Sequence, residues 1–143
     1  MNKLSPISLA AMAVCASTAL FLPSNGAAAT HNWTSGVFVP NATAPTPMPL
    51  GDVLVITGNG NQQFNGASFT SNGTVNWLSS NTNLGLNGAT TSVVNNGLWD
   101  SQGNAVMSGN GNFTNNGTLR KSGGTLLTQF APASFTNSGI IEA

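Results

Sequence analysis

Two of the three basic side chains, Arg120 and Lys121, share one stretch, "FTNNGTLRKSGG" from Phe113 to Gly124. A Lys–Ser pair beside glycines is what a phosphate-cradling loop uses, because backbone N–H groups and an ammonium can surround the anion. That loop also needs a glycine directly before the Lys–Ser pair, a buried strand before it and a helix after it. Arg120 stands in the glycine's place and no helical pattern follows, so phosphate chemistry is not expected here.

The carboxylates are as sparse. Asp52 and Asp100 with Glu142 make up the three acidic residues of the chain. Hydrolysis or elimination on a polysaccharide needs converging carboxylates, often with a metal or a basic partner. Asp100 and Glu142 occupy equivalent places in a repeat, two units apart, or about 10 Å on a strand-stacking rise. Asp52, in "PLGD", reads as a turn cap bonding its own backbone. His31 is the lone histidine and reads as a solvated residue near the mature N-terminus, without the companions a metal needs. The expectation is no catalytic, cofactor or metal site, and no enzyme. Trp77 and Trp99 are candidates for a sugar-stacking platform, although Trp in a strand more commonly packs in the core.

Composition narrows the partners. Only 4% of residues are charged, against roughly a quarter in ordinary soluble domains. Nucleic-acid binding needs clustered Lys and Arg to displace counterions, so no nucleic-acid partner is expected. A basic membrane-surface patch is disfavoured for the same reason. At 40% hydrophobic the chain still has the means to bury a core.

The first residues read as a targeting segment. Lys3 precedes the apolar run Ile7–Leu22, and small residues follow in "NGAAAT", which places cleavage near Ala29 and a signal peptide over 1–29. Cys15, the one cysteine, falls inside that segment. The mature chain would then be exported, secreted or held at the cell surface, with no disulfide to brace it.

What remains is a repeat. "FTSNGTVNW" from Phe69, "VVNNGLWD" from Val93, "FTNNGTLRK" from Phe113 and "FTNSGIIEA" from Phe135 align on Gly73, Gly97, Gly117 and Gly139. The glycines are spaced by 24, 20 and 22 residues. Alternating apolar and polar residues predict a strand with one buried face, and Asn-Gly predicts a corner that tolerates left-handed backbone angles. A second apolar run precedes each copy: Val53–Ile56, Leu84–Leu86, Ala105–Met107 and Thr125–Leu127. Arg120 and Lys121 fall on a variable, outward position of the third copy.

These units predict an all-β fold, a short right-handed parallel β-solenoid of about four to five coils over residues 52–143. Phe69, Val93, Phe113 and Phe135 would form one internal stack, and Val75, Trp99, Leu119 and Ile141 a second. Asn-rich corners would form ladders, since a side-chain amide both donates and accepts. Stacking like on like at about 4.8 Å penalises charge, which accounts for the composition. Residues 30–51 hold Pro40, Pro45, Pro47 and Pro49, and each Pro removes a ladder donor. That segment reads as a linker or as a cap over the first coil.

The runs "NWTSGVFVP", "FTSNGTVNW", "FTNNGTLRKSGG" and "FTNSGIIEA" resemble the coils of secreted bacterial β-helix surface proteins, the passenger-like and haemagglutinin-like repeat family. The resemblance covers about Trp33 to Ala143. It implies a structural or adhesive role at the bacterial cell surface or in the extracellular matrix, with surface glycans or host components as partners and no catalytic residues to carry over. The sequence stops at "SGIIEA", midway through a coil and far shorter than such relatives. It is therefore either a fragment or a chain whose open C-terminal coil self-associates. A curli-like, amyloid-like fibre subunit and a carbohydrate-binding module using Trp77 and Trp99 are the alternative readings.

Overall fold

A computed structural model describes residues 26–58, 60–79 and 83–143. Residues 1–25 of the expected leader, with Cys15, lie outside the described residues.

The strands run in three strips, side by side, and every strand pair within them is parallel. The first strip stacks β1 (Thr30–Trp33), β3 (Val53–Ile56), β6 (Thr74–Trp77), β9 (Leu98–Ser101), β11 (Thr118–Lys121) and β13 (Ile140–Glu142). The second stacks β2 (Gly36–Val37), β4 (Gln62–Asn65), β7 (Asn83–Asn87) and the leading halves of β10 (Val106–Asn115) and β12 (Gln129–Asn137). The third stacks β5 (Ser68–Ser71), β8 (Ser92–Asn95) and the trailing halves of β10 and β12. One pass through the three strips is one coil, and the chain forms a parallel β-solenoid of about 5 turns.

Period-2 patterning explains the strands. In β3 and β6 the second and fourth residues are buried while the first and third are half-buried. The inward residues stack into columns. Phe69 pairs with Val93, Val93 with Phe113, and Phe113 with Phe135. The last two rings lie parallel at 5.9 Å. Leu54, Val75, Trp99, Leu119 and Ile141 form the neighbouring column. Trp33, Phe38, Phe64 and Phe69 pack together at the lower end of the core, Trp33 edge to face on Phe38 and Phe64, and Phe64 stacked on Phe69.

The register corrects three expectations. Residues 30–51 are neither linker nor loose cap: β1 pairs with β3, β2 pairs with β4, and Met48 bridges to Ser71, so the prolines lie in corners of a first coil. Val53–Ile56 stacks on Thr74–Trp77 in the first strip instead of beside Leu84–Leu86, whose lower neighbour is β4. Thr125–Leu127 lies between strands, and the strand place of that coil is taken by Gln129–Ala131.

The corner glycines also act otherwise than expected. Gly73, Gly97, Gly117 and Gly139 do not have positive φ, and neither do the asparagines before them. Each is glycine because the coil below comes too close: a Cβ at Gly73 would collide with the Asp52 carbonyl oxygen, and Cβ atoms at Gly97, Gly117 and Gly139 with the carbonyl oxygens of Gly73, Gly97 and Gly117. The shared motif is a close-approach signal.

Candidate functional site: the side-chain columns and the open last coil

Two amide ladders climb the Asn-Gly corner. The inner one runs through Asn95, Asn115 and Asn137, above Ser71. Asn95 Nδ2 donates to Asn115 Oδ1 at 2.7 Å, and Asn115 Nδ2 donates to Asn137 Oδ1 at 2.7 Å. The same amides donate to strand carbonyls of the coil above, Asn95 to Thr118 at 3.0 Å and Asn115 to Ile140 at 3.1 Å. Asn95 and Asn115 are fully buried, so each bond replaces water that cannot reach them. The outer ladder is exposed and points the other way. Asn116 donates to Asn96 at 3.0 Å, Asn96 to Asn72 at 2.9 Å, and Ser138 Oγ to Asn116 at 2.8 Å.

A third column carries charge. Asn76, Asp100, Arg120 and Glu142 stand in register on the first strip. Arg120 Nη2 donates to Asp100 Oδ2 at 2.8 Å, and Gln102 Nε2 donates to the same oxygen at 3.0 Å. Burial pushes the Asp100 carboxyl up, yet the bonds from Arg120, Ser122 and Gln102 outweigh it and leave the group below its ordinary value. Where this fold does stack charges it alternates their sign. Asp100 and Glu142, two coils apart, have a cation between them.

The other ionisable groups also join one coil to the next. Asp52 accepts from the Ala29 backbone N–H at 3.0 Å, and its other oxygen lies 3.0 Å from His31 Nε2. The Ala29 bond, then that to His31, holds the Asp52 carboxyl below its usual value. His31 is therefore half-buried on β1 against Asp52 and is no free tail residue, and Asp52 ties two coils instead of capping its own turn. Lys121 corrects the expectation of an outward basic pair. It stands in the column of Ile56, Trp77 and Ser101, and its ammonium donates to the carbonyls of Gly103 and Gly123. The Lys–Ser–Gly–Gly run is thereby a corner fastening.

Trp77 and Trp99 are not a platform. They are 1% and 0% exposed and pack edge to face at 6.5 Å, with Trp99 also edge-on to Phe113 at 5.2 Å. Both stand at inward positions of the first strip, where period 2 turns them to the core. Sugar stacking on their faces is excluded by this packing.

Among the described residues, two concavities stand out. One is a polar notch of about 170 Å³ on the outer side of the second strip, where Gly85 leaves a gap between Gln63 and Ser108, with Asn61, Asn83 and Asn87 around it. The other is an apolar groove of about 420 Å³ on the last coil, walled by Leu119, Leu127, Phe130, Phe135 and Ile141 with Lys121 and Glu142. Among the described residues, β12 pairs with β10 alone and β13 with β11 alone. Phe135 is 38% exposed, Ile141 58% and Leu127 89%, although the residues one coil below in the columns of Phe135 and Ile141 are buried. Phe135 and Ile141 were expected in inward columns, whereas Leu127 and Phe130 were not expected in this wall. Their segment lacks the Asn-x-Gly signature, and "TLLTQF" offered only apolar composition as a signal.

Comparison with protein-family models, with curated proteins and with solved structures finds no match in any of the three.

Proposed function

We propose that this chain is a non-catalytic structural and adhesive module of an exported bacterial β-helix surface protein. The observation that carries this reading is the use made of its ionisable side chains. His31 with Asp52, Arg120 with Asp100, and Lys121 with two backbone carbonyls all join one coil to the next. Five of the six ionisable side chains among the described residues are engaged in holding the rod together, and Glu142 is exposed. Much of the outer face is amides, hydroxyls and glycines with little charge, beside exposed Val37, Val39 and Leu50, a surface whose polar part is suited to hydrogen bonding with hydroxyl-rich material. Within the adhesive reading, the Gly85 notch is the place where such a ligand meets several amides together.

Fractionation of producing cells tests the location: the chain should appear in the medium or on the outer surface, and confinement to the cytoplasm would overturn the proposal. Beads coated with the chain test the role. They should be retained on bacterial or host-cell surfaces more than beads coated with chemically denatured chain, and equal retention argues against adhesion.

The fibre-subunit reading draws on the parallel, in-register stacking and the amide ladders, features that cross-β fibres share. Thioflavin binding and concentration-dependent elongation at neutral pH would support it, and a soluble monomer would count against it.

A further inference from the structure

The corner glycines are forced on the chain, because a Cβ at Gly73, Gly97, Gly117 or Gly139 would collide with a backbone carbonyl of the coil below. Gly85, at the middle of β7, is not forced in this way. Its φ is not positive, and the atoms nearest to a Cβ there belong to side chains, Asn87 Nδ2 at 3.0 Å and Gln63 Cγ at 3.3 Å. Both side chains can shift by the few tenths of an ångström needed. Glycine inside a strand weakens it and often marks a close approach by another backbone or by a ligand. With no backbone among the nearest atoms, a ligand is the reason that remains.

The surroundings of Gly85 are hydrogen-bonding groups. Asn83 and Asn87 flank it on the outward face of β7, Asn61 and Gln63 lie one coil below, and Ser108 lies one coil above. Elsewhere the amides join coils: Asn95 donates to Asn115, Asn96 to Asn72, and Asn116 to Asn96. Asn87 stands directly over Asn65, the register in which such ladders form. Yet among the described residues it bonds through its backbone carbonyl, to Thr91 and Gly66, and its side-chain amide joins no ladder. All six ionisable side chains of the described residues lie on the first strip or one residue before it, so no counter-charge stands beside the notch. Its volume of about 170 Å³ is that of roughly five or six water molecules, room for one sugar ring.

We propose that the Gly85 notch binds a single neutral pyranose unit, free as a glycoside or at the end of a glycan, through Asn61, Gln63, Asn83, Asn87 and Ser108. Amides and hydroxyls both donate and accept, so they match a sugar hydroxyl whichever way its proton points. This deepens the adhesive reading and rests on it for the natural ligand, while the notch itself is tested separately.

The probes are the methyl glycosides of glucose, galactose and mannose, titrated into the isotope-labelled full chain. At least one should shift the side-chain amide signals of Gln63, Asn83 and Asn87 saturably, with a dissociation constant of about 1 mM, usual for so few atoms. Gly85→Thr should keep a melting temperature at or above the parent's, because threonine favours strands. It should weaken binding by about tenfold or more, because its side chain fills the space. Gln63→Ala leaves the space open and should weaken binding by roughly two- to tenfold. No shift with any of the three glycosides would overturn the proposal, as would binding left unchanged by both variants. So would a Gly85→Thr chain destabilised as severely as Gly117→Ala, since Gly85 would then serve the backbone. The coated beads separate the two readings. Glycoside bound by a chain whose beads are not retained supports the notch and counts against adhesion, whereas beads retained with no glycoside bound overturn the notch and leave adhesion standing.

Discussion

Asn95 donates to Asn115 across 2.7 Å of buried interior, and Asn115 repeats the bond to Asn137 at the same distance. Asn115 is thus acceptor to the coil below and donor to the coil above, including the Ile140 carbonyl. Asn116, the next residue, does similar bonding on the exposed side. Water can replace those outer bonds, but it cannot reach the Asn95–Asn115 bond. Asn115→Ala should therefore cost about 2–4 kcal/mol, since it strands buried partners, and Asn116→Ala less than about 1 kcal/mol. Denaturant unfolding of the two variants checks this, and equal costs would remove burial as the cause.

Gly117 provides a sharper contrast. Its φ is ordinary, so alanine there would be harmless if backbone angle were all that mattered. The Gly97 carbonyl lies where the methyl group must go. Gly117→Ala should cost about 3 kcal/mol or more, a large share of a typical stability of roughly 5–15 kcal/mol. A melting temperature within a few degrees of the parent would show that the coils can part at no expense.

Acid should loosen the molecule. Asp52 and Asp100 both have folded-state values below the ordinary 3.8. Lowered carboxyls stabilise the fold above that ordinary value, and the contribution is lost as pH falls through the lowered ones. Stability measured from pH 6 downward should hold until about pH 4 and then decline. Asp100→Asn should be less stable near neutrality and show a shallower decline, and an unchanged slope would detach Asp100 from the effect.

Trp77 and Trp99 should report a dry core. Their emission should be blue-shifted and resist quenching by acrylamide, and saturating neutral oligosaccharide should leave it unchanged. Trp99→Ala should cost about 3–5 kcal/mol as a cavity. A glycan-dependent emission shift would restore the stacking role that their packing excludes.

Much of this was legible in the sequence, for a physical reason. Parallel stacking places equivalent residues over one another, so aligning the copies on Asn-Gly aligns them in space, as Phe113 over Val93 and Leu119 over Trp99 illustrate. The first coil escaped because its corner, Pro49 to Asp52, has no Asn-Gly, while Val53–Ile56 is as apolar as a strand of any strip. The glycines were identified correctly and explained wrongly. Sequence shows that a residue has no side chain, whereas the missing volume belongs to a carbonyl some twenty residues away. The equivalence of Asp100 and Glu142 was legible in the same alignment, whereas the Arg120–Asp100 ion pair between coils was not, because a rule against stacked charge holds for like signs and opposite signs are its exception.

The corner between the third and first strips is two residues long in four successive coils, at 72–73, 96–97, 116–117 and 138–139. The bend after the first strip instead ranges from two residues, 34–35, to seven, 122–128. Length is therefore negotiable at one bend of the rod and fixed at another. A foreign peptide spliced between Leu126 and Leu127 should be carried as a surface tag with the melting temperature nearly unmoved. A single residue added between Asn116 and Gly117 should lower the melting temperature markedly, because it would turn the inward side chains of β11 to the opposite face before the bend at 122–128 can absorb the shift.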